Sequence, residues 1–162
     1  MGARPLYLTA GFILEEGFPL ADLDRIVQSM AQAANAAGVQ VISGDTKVVE
    51  RGKGDGVFIT TTGIGVVPES LDLSVVNVAA GQSVLVSGTM GDHGVAVLSK
   101  RENLEFETEI CSDSAALHGL VADMVAAVPD IAMLRDPTRG GLSATLNEIV
   151  TAAGVGITLD EA

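Results

Sequence analysis

The sequence predicts an α+β protein built in two units. Extended segments outnumber helical ones by about six to four, and the run Val57 to Val67 (VFITTTGIGVV) is the most β-branched in the chain. Each helical segment carries one apolar stripe, which suits helices laid on one side of a sheet. Near the middle, Pro68 to Gly81 loses its periodicity. That places a boundary between a first unit over residues 1–70 and a second over residues 71–162.

Pro5 to Leu14 (PLYLTAGFIL) reads as a buried strand, with Glu15-Glu16-Gly17 as the turn after it. Leu20, Leu23, Ile26, Val27, Met30, Ala34 and Ala37 recur at helical spacing, and Gly38 supplies the stop. Val39 to Val49 is a second strand, broken by Gly44-Asp45-Thr46. The glycine-rich turn Arg51 to Gly56 then leads into the strand Val57 to Val67. Past the boundary, Ser83 to Ser87 is a short strand that runs into Gly88 to Gly94 and a short helix ending near Lys100. Asn103 to Cys111 is acidic and irregular. Ser112-Asp113-Ser114 offers a cap for a helix whose apolar face is Leu117, Leu120, Val121, Met124 and Val125. Ala132 to Arg135 is a short strand. Asp136 to Gly141 opens a helix with Leu142, Leu146, Ile149, Val150 and Ala153 inward, Gly154 ends it, and Val155 to Leu159 is a last strand.

Composition narrows the function. The chain has 162 residues, 48% apolar and 19% charged, enough to build a core and too apolar for disorder. No apolar run reaches the roughly 18 residues of a membrane helix, and no leader pattern is visible at Met1. Nine basic against 21 acidic residues give a net charge of −12. A surface so acidic repels nucleic-acid phosphate and has no basic stripe to offset that. A single cysteine, Cys111, excludes an internal disulfide and predicts a reducing, cytoplasmic setting. It has no basic neighbour to stabilise a thiolate, so it reads as structural.

Three segments share one design, a strand followed by a glycine-containing turn that carries Asp: Gly44-Asp45-Thr46-Lys47, Gly88 to Gly94, and Asp136 to Gly141. Glycine lets backbone N–H groups approach a ligand closely. Asp offers hard oxygen to magnesium, which prefers one or two carboxylates plus substrate phosphate oxygens. A helix start at Thr138 to Gly141 favours an anion. Lys47 and Arg139 add positive charge to an acidic chain. Together these features predict a magnesium–nucleotide site. Each has a plainer reading beside it: Asp136 as a helix cap, Gly44-Asp45-Thr46 as a turn or bulge, and Asp92-His93 as a solvated turn. Neither a Walker A nor a dinucleotide fingerprint is present.

Met1 to Pro5, Ser43-Gly44-Asp45-Thr46-Lys47-Val48-Val49, Gly52-Lys53-Gly54-Asp55-Gly56, Ser87 to Gly94, and Asp136-Pro137-Thr138-Arg139-Gly140-Gly141-Leu142 occur in that order. On these five motifs the chain resembles the HypE family, carbamoyl dehydratases of [NiFe]-hydrogenase maturation. That family is similar to aminoimidazole ribonucleotide synthetase, selenophosphate synthetase and thiamine monophosphate kinase. The resemblance implies an aminoimidazole ribonucleotide synthetase-like two-domain fold, dimerised through the sheet of its first domain, with ATP bound between the domains.

It also implies a reaction. HypF places a carbamoyl group on a C-terminal cysteine, ATP phosphorylates the amide oxygen, and loss of phosphate leaves a thiocyanate. The cyanide ligand then passes to iron on the HypC–HypD complex. Carried over residue by residue, Asp45 and Asp136 are the magnesium ligands and Lys47 is the catalytic cation. Thr46, Asp92, Thr138, Arg139, Asn147 and Glu148 are the nucleotide-binding residues. His93 matches the same loop as Asp92.

Two family features have no counterpart: the acidic N-terminal segment, and the terminal Pro-Arg-Val/Ile-Cys, where this chain has Asp160-Glu161-Ala162. The expectation is a central fragment with both domains incomplete, inactive by itself. The alternatives are a small-molecule kinase like thiamine monophosphate kinase and a non-catalytic interaction fragment. Lys47 after Gly-Asp-Thr, and the composition of the 136–141 turn, argue against the kinase.

Overall fold

The structure, a computed structural model, describes residues 2–104 and 110–160. The chain divides into two compact units, Ala3–Glu69 and Ser70–Ala162 with Met1–Gly2.

The first unit is a three-stranded sheet with one helix. Its elements are β1 (Arg4–Glu15), α1 (Leu20–Ala36), β2 (Gln40–Val49) and β3 (Val57–Val66). The sheet order is β2-β1-β3. β1 pairs in parallel with β2 and antiparallel with β3. The parallel pair needs a crossover, and α1 is that crossover. α1 ends where αL Gly38 follows it, with the Ala37 and Gly38 N–H groups donating to Ala33 and Asn35 carbonyls at 3.0 Å. Ala34, Val39 and Ala10 are the buried residues of this unit.

β2 departs from the expected break at Gly44-Asp45-Thr46. The strand runs through these residues, with Gly44, Asp45 and Thr46 opposite Ala10, Gly11 and Phe12. The irregularity lies earlier, between Leu8 and Thr9, where Ile42 is the extra residue on β2. Gly44 is needed just past it, because a Cβ there would run into the Ala10 carbonyl oxygen. What reads as a turn is a strand in close backbone contact with its neighbour.

The second unit contains a short 3₁₀ turn (Val75–Asn77), α2 (Asp92–Glu102), α3 (His118–Ala127) and α4 (Gly141–Ala153). α4 buries Thr145 and Leu146, and Leu142, Ile149, Val150 and Ala153 of its expected inward face are half-buried. The strands expected at Ser83–Ser87, Ala132–Arg135 and Val155–Leu159 are not formed among the described residues. A strand requires a ladder of bonds to a partner. Ala132 accepts one bond, from the Ser74 N–H at 3.0 Å, and Leu85 stays 79% exposed.

The expected cap at Ser112-Asp113-Ser114 is also absent. α3 begins later, at His118, with Leu117 as its N-cap residue and no side-chain cap. Most of the segment Asn103 to Cys111 lies outside the described residues.

Candidate functional site

In the first unit, strand alternation sorts the Gly44–Lys47 motif. Side chains opposite one another across a ladder share a face, and successive residues alternate. Asp45 therefore stands on one face with Gly11 and Thr60, and Lys47 joins it with Ile13 and Phe58. Thr46 stands on the other face, with Phe12 and Ile59. The structure thus brings Asp45 and Lys47 to one surface and separates Thr46 from them. The Asp45 Oδ1 accepts the Thr46 N–H at 2.8 Å, which leaves Oδ2 unengaged among the described residues.

The glycine-rich turn beyond β2 is anchored by a residue that the sequence reading passed over. Glu15 accepts the Gly52 N–H at 2.6 Å through Oε1 and the Gly56 N–H at 3.3 Å through Oε2. The Gly52 bond and then the Gly56 bond hold the Glu15 carboxyl below its ordinary range. Desolvation opposes this, and the Arg51 charge adds a smaller downward pull.

In the second unit, Asp136 is not a helix cap. α4 starts at Gly141 with αL Gly140 as its N-cap residue and no side-chain cap. The Asp136 Oδ1 instead pairs with Arg135 at 3.3 Å. The same guanidinium reaches the Glu148 Oε2 at 3.3 Å. Two of the expected site residues are thereby brought together by a third that the sequence reading missed. The one signal for Arg135 was a rare cation beside an acid in a strongly acidic chain.

Thr138 and Arg139 are exposed in the turn before α4. The Thr138 N–H donates to the Asp136 carbonyl at 3.1 Å, and the Gly141 N–H donates to the Thr138 carbonyl at 3.2 Å. Asn147 and Glu148 line a shallow depression along α4 with Ala144, Thr151 and Ala152. Asn147 Nδ2 donates to the Ser143 carbonyl at 2.9 Å.

Asp92 opens α2 and accepts a bond from Thr89 Oγ1. His93 is exposed, and its Nδ1 lies 3.0 Å from Ser112 Oγ. Cys111, next to that serine, is an exposed free thiol.

Magnesium fits this donor set in part. No cluster of three metal-ligating side chains exists among the described residues. Magnesium does not need one when phosphate oxygens and water complete its shell. Asp45 and Asp136 each offer an exposed carboxylate with one oxygen unengaged among the described residues. No helix of the described residues is long and apolar enough to cross a membrane.

Comparison with known proteins adds the following. Residues 1–67 match the family described as AIR synthase related protein, N-terminal domain, and residues 79–162 match its C-terminal domain. The chain is 68% identical over 161 residues to "Carbamoyl dehydratase HypE" of Cupriavidus necator, covering 99% of this chain and 46% of that protein. It superposes on HypE in a crystal structure of a HypE–HypF complex with a TM-score of 0.89 at 54% identity, covering 94% of this chain and 50% of that one. It also superposes on a hydrogenase maturation protein HypE in complex with ATP, with a TM-score of 0.89 at 52% identity, covering 94% and 45%. The chain thus spans about half the length of the curated relatives it matches.

Proposed function

The chain belongs to the AIR synthase related family, and on that premise we propose that the full-length protein is an ATP-dependent carbamoyl dehydratase of hydrogenase maturation. The observation that carries the reading is the 68% identity to a carbamoyl dehydratase over nearly the whole chain.

The reaction converts a cysteine thiocarboxamide to a thiocyanate. An amide oxygen is a poor leaving group and phosphate a good one. The amide oxygen takes the terminal phosphoryl group of ATP. The C–O bond then breaks, the nitrogen gives up its protons, and C≡N forms. The products are thiocyanate, ADP, phosphate and a proton. Magnesium, when bound, neutralises charge on the transferred phosphoryl group.

Within this scheme, Asp45 in the first unit and Asp136 in the second are each a magnesium ligand. Lys47, on the same sheet face as Asp45, contributes the positive charge that a phosphoryl oxygen needs. Thr138 and Arg139 meet phosphate at the turn before α4, and Asn147 and Glu148 border the depression beside it. Asp92 binds nucleotide from the start of α2. Thr46 faces away from Asp45, so its contribution is through its backbone N–H, which orients the Asp45 carboxylate.

HypF is the proposed carbamoyl donor, because a related HypE is found with HypF in a crystal. The HypC–HypD complex is the proposed acceptor of the cyanide ligand. The first unit is the C-terminal part of an ATP-binding, dimerising domain, and the full-length protein is a cytoplasmic homodimer.

The test is intact mass spectrometry of the full-length protein after incubation with the carbamoyl donor system and magnesium–ATP. A carbamoyl adduct that loses the mass of water only when ATP is present supports the reading, and Cys111→Ser should leave that outcome unchanged. An adduct that persists with ATP, or one carried on Cys111, would overturn it.

A further inference from the structure

Arg135 takes no part in the scheme above, yet it holds two of its carboxylates. Its Nη1 lies 3.3 Å from Asp136 and its Nη2 3.3 Å from Glu148. Both distances exceed the roughly 2.7–2.9 Å of a tight charge-assisted bond. The three side chains are 41%, 55% and 65% exposed, so water screens the pairs. Pairs this loose and wet can be exchanged for others at little cost. The guanidinium fork matches phosphate as well as it matches carboxylate. Asp136 Oδ2 is unengaged among the described residues, but a divalent cation there would share the carboxylate with the guanidinium on Oδ1, and the two positive charges repel each other.

We propose that Arg135 is a positioning residue that orders binding at this site: it pairs with Asp136 and Glu148 until nucleotide phosphate draws it away, which removes the positive charge that repels a metal from Asp136. The inference rests on the reading of Asp136 as a magnesium ligand. Coupling of this kind is reciprocal, so nucleotide and metal strengthen each other's binding.

The test uses full-length protein and manganese as the magnesium probe, followed by electron paramagnetic resonance without nucleotide. Arg135→Gln should bind manganese about three- to tenfold more tightly than wild type, since the competing charge is gone. Arg135→Lys should stay near wild type, and its melting curve and that of Arg135→Gln should match it. In excess chelator, Arg135→Gln should bind ATP several-fold more weakly. Adding Asp136→Asn to Arg135→Gln should abolish the gain in manganese affinity. If Arg135→Gln binds manganese no more tightly than wild type, or keeps its gain with Asp136→Asn, the proposal is wrong. Asp136→Asn alone separates the two claims. If it weakens magnesium-dependent ATP binding while Arg135→Gln shows no gain, only the Arg135 inference falls. If it leaves that binding intact, the metal reading falls as well.

Discussion

The Glu15 carboxylate at the end of β1 accepts the backbone N–H of Gly52 at 2.6 Å and so ties the β2–β3 turn to the strand before it. A second bond, from Gly56, and the Arg51 charge act in the same direction. The carboxyl is held below its ordinary range, so it stabilises the fold above the unfolded value of about 4.3 and loses that effect as pH falls through its folded value. Glu15→Gln should therefore melt below wild type at neutral pH, and the gap should narrow on acidification below the unfolded value of about 4.3. Thermal melts of both proteins across that range check this. A gap that is constant with pH would show that the carboxylate charge is not the cause.

Gly44 gives a second prediction. A methyl group at residue 44 would meet the Ala10 carbonyl oxygen inside the β1–β2 ladder. Backbone, unlike a flexible side chain, cannot swing aside. Gly44→Ala should cost about 1–3 kcal/mol in denaturant unfolding. Gly52→Ala makes a useful contrast, because nothing lies within 4 Å of its Cβ position and any loss there comes from its φ of +79 alone.

How much of this was legible follows from the kind of interaction that fixes each part. The strands of the first unit and the four helices of the described residues come from local periodicity, and those segments lie where they are expected except that α3 starts only at His118. Asp45, Lys47 and Asp136 stand out because an Asp within a short glycine-containing segment is a local pattern. Gly44 was misread for the same reason. A glycine forced by a neighbouring strand looks, in one dimension, like a glycine in a turn. The extended segments of the second unit share strand composition, but pairing is a long-range property that composition does not contain. Arg135 and Glu15 act across 13 and 37 residues of sequence, and no spacing rule points to either bond.

The exposed face of the first unit's sheet carries the third prediction. Tyr7 faces Ile64 and Ile13 faces Phe58 across the β1–β3 ladder, and these four side chains are 40–51% exposed. This apolar stripe shares its sheet face with Asp45 and Lys47, and it suits a two-fold contact with a second copy that borders those two residues. Sedimentation of the full-length protein at micromolar concentration should give a dimer, and Phe58→Glu should weaken it by at least about tenfold, as burying an unpaired charge requires. A wild-type protein that sediments only as monomer would contradict the dimer.

In the proposed reaction Asp136 serves a metal rather than a helix. Because α4 begins at Gly141 and is not capped by a side chain, the Asp136 charge serves the fold through its exposed pair with Arg135, which contributes little. Asn keeps the shape and one oxygen and drops the charge. The decisive measurement is ATP-dependent dehydration by full-length Asp136→Asn at limiting magnesium, alongside its melting curve. Stability should stay within about 0.5 kcal/mol of wild type while dehydration falls at least about tenfold, with Asp45→Asn behaving alike. Near-wild-type dehydration by a stably folded Asp136→Asn would contradict the metal role.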